Sequence, residues 1–158
     1  MSFFDGGDAA LQETLYSALR GRVEAARSRP TMMEMTIDTA TTAVDSPRVT
    51  VGVDISPLDT LLNDRANLTL VAVLYEDSVP HPAARGGDTV YVPVAVDVIG
   101  GPWGVPVSLQ YATPFDTVLE TPLGDWRRDY LGVAVFVQDT ATREVLQSAV
   151  LKRIGNRP

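Results

Sequence analysis

An antiparallel β-sandwich with one N-terminal amphipathic helix is the fold this 158-residue sequence predicts. Three observations predict it. Apolar residues alternate with polar ones at a period of two, in run after run from Met33 to Leu151, which is the pattern of strands with one wet face. Turn-forming clusters of Gly, Pro, Asn and Asp separate those runs, and no helical pattern lies between them, so parallel crossover units are excluded. Three- and four-residue spacing of apolar residues occurs in one segment only, near the start. The length is that of one domain with a short appendage: residues 1–30 carry the helix and residues 31–158 the sandwich.

The helix is predicted from Asp8 to about Arg27, where Leu11, Leu15, Leu19, Val23 and Ala26 form an apolar stripe. Asp8 suits the N-cap, and Glu13 lies near the positive end of the helix dipole. Arg20, Arg22, Arg27 and Arg29 crowd the negative end, and Pro30 stops the helix. Leu15 and Leu19 must then dock on the sandwich or on a second copy of the chain, which would make a homodimer.

After Pro30 the period changes from 3.6 to 2. Met33, Met35 and Ile37 alternate with Glu34, Thr36 and Asp38, and Val49, Val51, Val53 and Ile55 follow beyond Asp45-Ser46-Pro47. A polar break from Ser56 to Arg65 includes a helical turn at Leu58–Leu62. Leu68 to Tyr75 is apolar at successive positions and predicts a central strand covered on both faces. A Pro/Gly-rich loop from Val79 to Asp88 leads to a long alternating run, Val90 to Val98. The turn Gly100-Gly101-Pro102 with Gly104 precedes Val105, Val107 and Leu109. Leu131 to Val137 and Val145 to Leu151 form a closing hairpin about Gln138–Arg143. In that hairpin Val133, Val135 and Val137 should face the core, joined from the returning strand by Leu146, Ser148 and Val150, with Gln147 in water. Phe136 and Ala134 on the other face place the first strand inside its sheet. The total is seven to eight strands.

Composition excludes several chemistries. The chain has no cysteine, which removes disulfides, thiolate metal sites and thiol catalysis. It has one histidine, His81, so a two-histidine metal site is excluded. The formal charge is −7, with the acidic excess between residues 31 and 130, and such a body repels nucleic acid. No apolar run reaches the roughly 18 residues of a membrane span, and the first residues carry neither the basic start nor the apolar stretch of a signal peptide.

Few residues could carry a site. His81, between Pro80 and Pro82, belongs to an extended loop and has no partner histidine. Glu76 with Asp77, and Asp125 with Asp129, read as solvated turn acids, the alternative being a calcium site at one end of the sandwich. Trp103, in a Gly-rich turn, and Trp126, before Arg127-Arg128, are either plugs of the sandwich ends or a platform for a sugar ring. No phosphate loop, nucleophile elbow or metal-spaced motif is present, and no cofactor is called for.

Three segments carry a family likeness. The first is the hairpin from Leu131 to Ala149: an apolar strand ending Phe136-Val137-Gln138-Asp139, a short turn, then Glu144-Val145-Leu146-Gln147-Ser148-Ala149. The second is Asn67 to Asp77, ending in Glu76-Asp77, and the third is Val94 to Gly104, which runs into the Gly-rich turn. Together they resemble the Omp28-related family over roughly residues 32–152. The resemblance implies an Ig-like β-sandwich downstream of a thioredoxin-like domain, in extracytoplasmic (periplasmic or cell-surface) proteins. Phe3-Phe4-Asp5-Gly6-Gly7 and the helix after it look like the last strand, turn and final helix of a thioredoxin fold. The rest of such a domain, with its Cys-x-x-Cys, is not in this sequence. Family members often carry a histidine at the head of the strand that here begins Tyr91-Val92-Pro93, so its role is not carried over.

The expectation is a non-enzymatic accessory or interaction module whose partner is another protein or its own upstream thioredoxin-like domain. The alternative is a carbohydrate-binding module using Trp103 and Trp126, with His81 as a further contact residue.

Overall fold

A computed structural model describes residues 21, 24–25, 28, 30–41, 48–77, 79–80, 90–91 and 93–154. Ten strands run through them: β1 (Met33–Thr41), β2 (Arg48–Pro57), β3 (Leu68–Glu76), β4 (Val79–Pro80), β5 (Val90–Tyr91), β6 (Val94–Ile99), β7 (Val105–Pro106), β8 (Phe115–Pro122), β9 (Leu131–Asp139) and β10 (Val145–Leu151). Every described pairing is antiparallel. One sheet has the order β1-β2-β8, and the other has β10-β9-β3-β6, with β7 also on the β3 edge. β4 and β5 form a separate two-stranded ribbon.

The period-two alternation becomes burial directly. Val49, Val51, Val53 and Ile55 of β2 face Leu70, Ala72 and Leu74 of β3 and Val133, Val135 and Val137 of β9 in a single core. At about 1.5–3 kcal/mol for each fully buried aliphatic side chain, this interior is the main source of stability. The sheets also meet along their sides. On one side Gln147 of β10 donates through Nε2 to Thr31 Oγ1 (2.9 Å) and to the Met33 carbonyl (3.0 Å). On the other, Thr121 of β8 donates its hydroxyl to Asp97 Oδ2 of β6 (2.6 Å).

Several expectations change. The predicted N-terminal helix lies almost wholly outside the described residues. Gly21, Glu24 and Ala25 have helical backbone, but no α-helical element is delimited among the described residues. Its docking through Leu15 and Leu19 also lies outside them, as does the connection at 42–47. The run from Val90 to Val98 is broken at Pro93 into β5, paired with β4, and β6, paired with β3, because proline has no N–H for a ladder. Of the predicted strand Val105–Leu109 only Val105–Pro106 pairs, while Val107 and Leu109 are buried in irregular chain. The turn near Leu58–Leu62 is a 3-10 helix, Thr60–Asp64, whose Leu61 N–H is capped by Asp59 Oδ1 at 2.9 Å.

β8 was not predicted. Its inner face is Phe115, Thr117, Leu119 and Thr121, half of it threonine, and Val118 points to solvent. The apolar alternation is therefore weak, and only pairing with β2 reveals the strand. β3 is central, between β9 and β6. Its second face is covered only in part, since Val71, Val73 and Tyr75 are half-buried.

In the closing hairpin, Val133, Val135 and Val137 face the core, fully buried, and β9 is interior to its sheet. The returning strand differs from expectation. A bulge between Val145 and Gln147 shifts the register, so that Gln147, Ala149 and Leu151 oppose Val137, Val135 and Val133. Ser148 and Val150 point outward, Val150 being 59% exposed. One extra residue turns every later side chain to the opposite face. Gln147 tolerates the inner position because it lies at the sheet edge, where its amide bridges to Thr31 and Met33.

Candidate interaction surface

Each end of the sandwich is closed by a buried carboxylate bound to an arginine distant in sequence. At the end where β3 begins, Asp139 Oδ2 meets Arg65 Nη1 at 3.1 Å, and its Oδ1 accepts the backbone N–H groups of Ala141 (2.9 Å) and Thr142 (3.2 Å). Arg65 also reaches Glu144 Oε2 at 3.3 Å. At the other end Glu76, the last residue of β3, is 8% exposed and pairs with Arg127 Nε. Arg127 also donates through Nη2 to the Asp77 carbonyl (3.1 Å), and its guanidinium lies 4.2 Å from the Tyr130 ring centroid. Glu76 is therefore not the solvated turn acid that its neighbourhood to Asp77 suggests. Its inward position on β3 buries it, and Arg127 supplies the compensating charge.

Arg127→Met should cost about 2–3 kcal/mol by chemical denaturation. That is below the figure for a fully buried pair because the arginine is over one-third exposed. Adding Glu76→Gln should recover part of the loss, since no buried charge then remains. A second change with no effect would show that Glu76 had never depended on Arg127.

Tyr75 lies against Gly132 on the outer face of the same sheet, where an added Cβ would come within 2.3 Å of the ring. Burial first, and the charge of Asp77 second, raise its phenol above the ordinary 10.0. The folded state thus holds this proton more tightly than the unfolded chain. That contribution is complete below pH 10 and is lost as pH rises through the raised value. Tyr75→Phe should flatten the fall in melting temperature above about pH 10. An alkaline limb identical in the two proteins would rule the phenol out as its source.

The end with Asp139 carries most of the exposed apolar surface among the described residues. Trp103 is 86% exposed in the turn between β6 and β7, at the sheet edge beside Leu70 and Val71, and Leu58, Leu61 and Tyr111 are exposed on the connections around the start of β3. The geometry is built by positive-φ backbone. Gly100, Gly101 and Gly104 have φ of 84°, 98° and 70°, and the Gly104 N–H closes the turn onto the Gly101 carbonyl at 3.0 Å. Ala112 takes φ 56° in the turn from Gln110 to Thr113, a conformation that costs a non-glycine residue about 1–3 kcal/mol. It is held by Asn63 Oδ1, which accepts the Tyr111 N–H at 2.7 Å, and by the Pro57 carbonyl, which accepts the Ala112 N–H at 3.2 Å. Ser56, Pro57, Leu58, Tyr111, Ala112 and Pro114 line an open groove of about 290 Å³ there.

The two tryptophans do not share this surface. Trp126 packs partly buried against the core and over Gly124, in the connection that carries Arg127 to Glu76, at the far end of β3. Gly104 lies against Thr69, Leu70 and Val71 near the start of β3. The β3 positions that the two connections meet, Leu70 and Glu76, lie about 20 Å apart at 3.3 Å per residue. His81 lies outside the described residues. Trp103→Ala should leave stability within about 0.5 kcal/mol, whereas Trp126→Ala should cost about 2–3. Thermal melts with equal losses would contradict these placements. No group of three or more His, Asp or Glu residues able to hold a metal ion occurs among the described residues, and no helix among them is long and apolar enough to cross a membrane.

The fold and this surface define a two-sheet antiparallel β module that presents apolar side chains at one end. Solved structures share the fold. A domain of the outer membrane lipoprotein Omp28 from Porphyromonas gingivalis matches with a TM-score of 0.54 at 16% identity, covering 78% of this chain and 89% of that one. HBP35 of Porphyromonas gingivalis matches with a TM-score of 0.71 at 13% identity, covering 89% of this chain and 48% of that one. This chain therefore spans about half the length of the HBP35 structure. The Omp28-related resemblance carried by the closing hairpin is met at the level of fold. No protein-family model and no curated protein matches the sequence.

Proposed function

We propose that this chain is a non-enzymatic interaction module: an Ig-like accessory β domain of an extracytoplasmic, thioredoxin-associated protein, binding a protein partner through the end that carries Trp103. The observation behind this reading is the apolar end itself. Trp103 is exposed on a turn built from positive-φ glycines, Leu58, Leu61 and Tyr111 are exposed on the connections around the start of β3, and exposed large apolar side chains gathered on turns mark contact surfaces. The strand orders β1-β2-β8 and β10-β9-β3-β6 correspond to A-B-E and G-F-C-C′ of immunoglobulin sandwiches, which use their ends in this way. The Omp28 neighbour, an outer membrane lipoprotein, supports the extracytoplasmic setting. The absence of any thiol supports a role beside redox chemistry rather than in it.

The test is site-specific photocrosslinking in the cell envelope of the source organism. A photoreactive residue at position 103 should give a discrete protein adduct, and one at Val150, also exposed but on a sheet face, should not. Equal adducts from both positions, or none from 103, would overturn the reading. Retention on a glycan array that is lost with Trp103→Ala would transfer it to the sugar-binding alternative. Turnover in an insulin-reduction assay by the pure chain would contradict the non-enzymatic role.

A further inference from the structure

Among the described residues, five strands have one side open in the two sheets: β1 and β8 in the smaller, β6, β7 and β10 in the larger. Such edges invite strand addition, and native proteins blunt them with bulges, prolines, inward charges or very short strands. Four of the five are blunted. β1 carries an extra residue, Asp38, between Ile37 and Thr39, and β10 carries Leu146 between Val145 and Gln147. β6 carries Val96 between Ala95 and Asp97, and its Asp97 sits opposite the buried Leu74, on the inner face. β7 is two residues long and ends in Pro106. β8 is the exception. It pairs with β2 residue for residue from Phe115 to Pro122, with no shift of register. Immunoglobulin sandwiches place a further strand, D, beside E. Here the chain between β6 and β8 is described throughout, and the strand it supplies, β7, pairs with β3 instead. β6 meets β8 near Pro122, where Thr121 bonds Asp97, so the stretch left to a new neighbour is Phe115–Glu120.

We propose that β8 is a strand-addition site for an extended segment of a partner protein, one that turns apolar residues inward and carries lysine or arginine outward beside Asp116 and Glu120. The side chains of β8 describe that neighbour. Phe115 and Thr117, on the inner face, are half-buried, so an added strand gains by laying apolar residues against them. The outer face reads Asp116, Val118 and Glu120, all exposed. Asp116 stands directly opposite Asp54 of β2, a like-charge pair that costs stability. Neither carboxylate has a side-chain partner among the described residues, and a cation on the added strand would answer both. Glu120 already holds Arg48 of β2 at 3.2 Å in an exposed pair, so Asp116 is the stronger determinant. The same acids disfavour a second copy. Antiparallel pairing of two β8 strands about Val118 would set Asp116 against the second copy's Glu120, and Glu120 against its Asp116. Backbone hydrogen bonds to β8 thus supply affinity, and the acids supply the choice of partner. This edge is separate from the Trp103 surface, and its failure would leave that reading standing.

Every second amide N–H of β8 points away from β2. In the full chain at neutral pH these amides should exchange quickly with solvent. A saturating amount of a short peptide alternating valine and lysine should slow them about tenfold or more, and leave the edges β1, β6 and β10 as they were. The valine–glutamate counterpart should do nothing. Asp116→Lys combined with Glu120→Lys should exchange the two responses, while the core amides of Val51 and Val135 keep their rates and so report an intact fold. Equal slowing by both peptides, no slowing by either, or slowing at another edge overturns the proposal. Slow exchange of the outward β8 amides before any peptide is added overturns it too. Protection that fades on dilution would give the edge to a second copy, and protection that does not would give it to another segment of this chain.

Discussion

Replacing Val135 by aspartate should lower stability by several kcal/mol, against a total of about 5–15 for a chain of this size. Val135 is fully buried between Ala72 of β3 and Ala149 of β10, on the inner face of the middle strand of its sheet. Nothing nearby can bind a carboxylate: the acid-binding arginines Arg65 and Arg127 are committed at the two ends of the sandwich. Burial raises the pKa of the introduced carboxyl, so its folded form is neutral. The deficit should therefore grow as pH rises above the ordinary carboxyl range near 4 and shrink below it. Thr140→Asp is the control. Thr140 is exposed in the hairpin turn and loses only its hydroxyl bond to the Asn67 carbonyl (3.1 Å), worth about 1 kcal/mol or less. Urea titrations of the two variants at pH 4 and pH 7 check the prediction. Equal midpoints would mean that β9 is not in the register described.

Gly104→Val should cost about 3–5 kcal/mol, from two sources that add at one atom. Its φ of +70° disfavours any side chain, and a Cβ there would lie 2.4 Å from the Leu70 carbonyl oxygen and 2.7 Å from Thr69 Cγ2. The first contact is with backbone near the start of β3, which cannot move aside without disturbing the pairs with β7 and β9. Gly101→Ala isolates the conformational part. Gly101 also has positive φ, but nothing lies within 4 Å of its Cβ position, so about 1–2 kcal/mol is expected. Similar midpoints for the two variants would show that the turn does not press on β3.

Much of this architecture is local chemistry and so can be read from one segment at a time. Side chains alternate across a strand with a period of two whatever the strand pairs with. The runs at Met33, Val49, Leu68 and Leu131 are strands because valines and isoleucines recur at that period, and the buried faces are the predicted ones. Residues apolar on both sides, as in Leu68–Tyr75 and Leu131–Val137, placed β3 and β9 inside their sheet by the same reasoning. The exclusion of thiol chemistry also needed only the composition.

What the alternation does not contain is how two strands meet. Leu146 packs against the core as expected, but the bulge there turned the rest of the returning strand over, bringing Gln147 inward and Val150 outward, because register belongs to a pair and not to a segment. β8 became visible only through β2, whose valines give its threonines an apolar face to pack against. The candidate site depended still more on distance in sequence. Glu76 and Arg127 are 51 residues apart, and Arg65 and Asp139 are 74 apart. Adjacent residues in the sequence cannot announce such pairs. Trp103 and Trp126 look alike as loop tryptophans. The positive-φ turn pinned by Gly104 exposes the first, and the connection tied to Glu76 folds the second against the core. Period and composition thus determined which residues form the layers and that these residues offer no thiol. Tertiary structure decided which carboxylates are buried and which aromatic ring meets solvent, because both depend on contacts between segments that only the closed sandwich brings together.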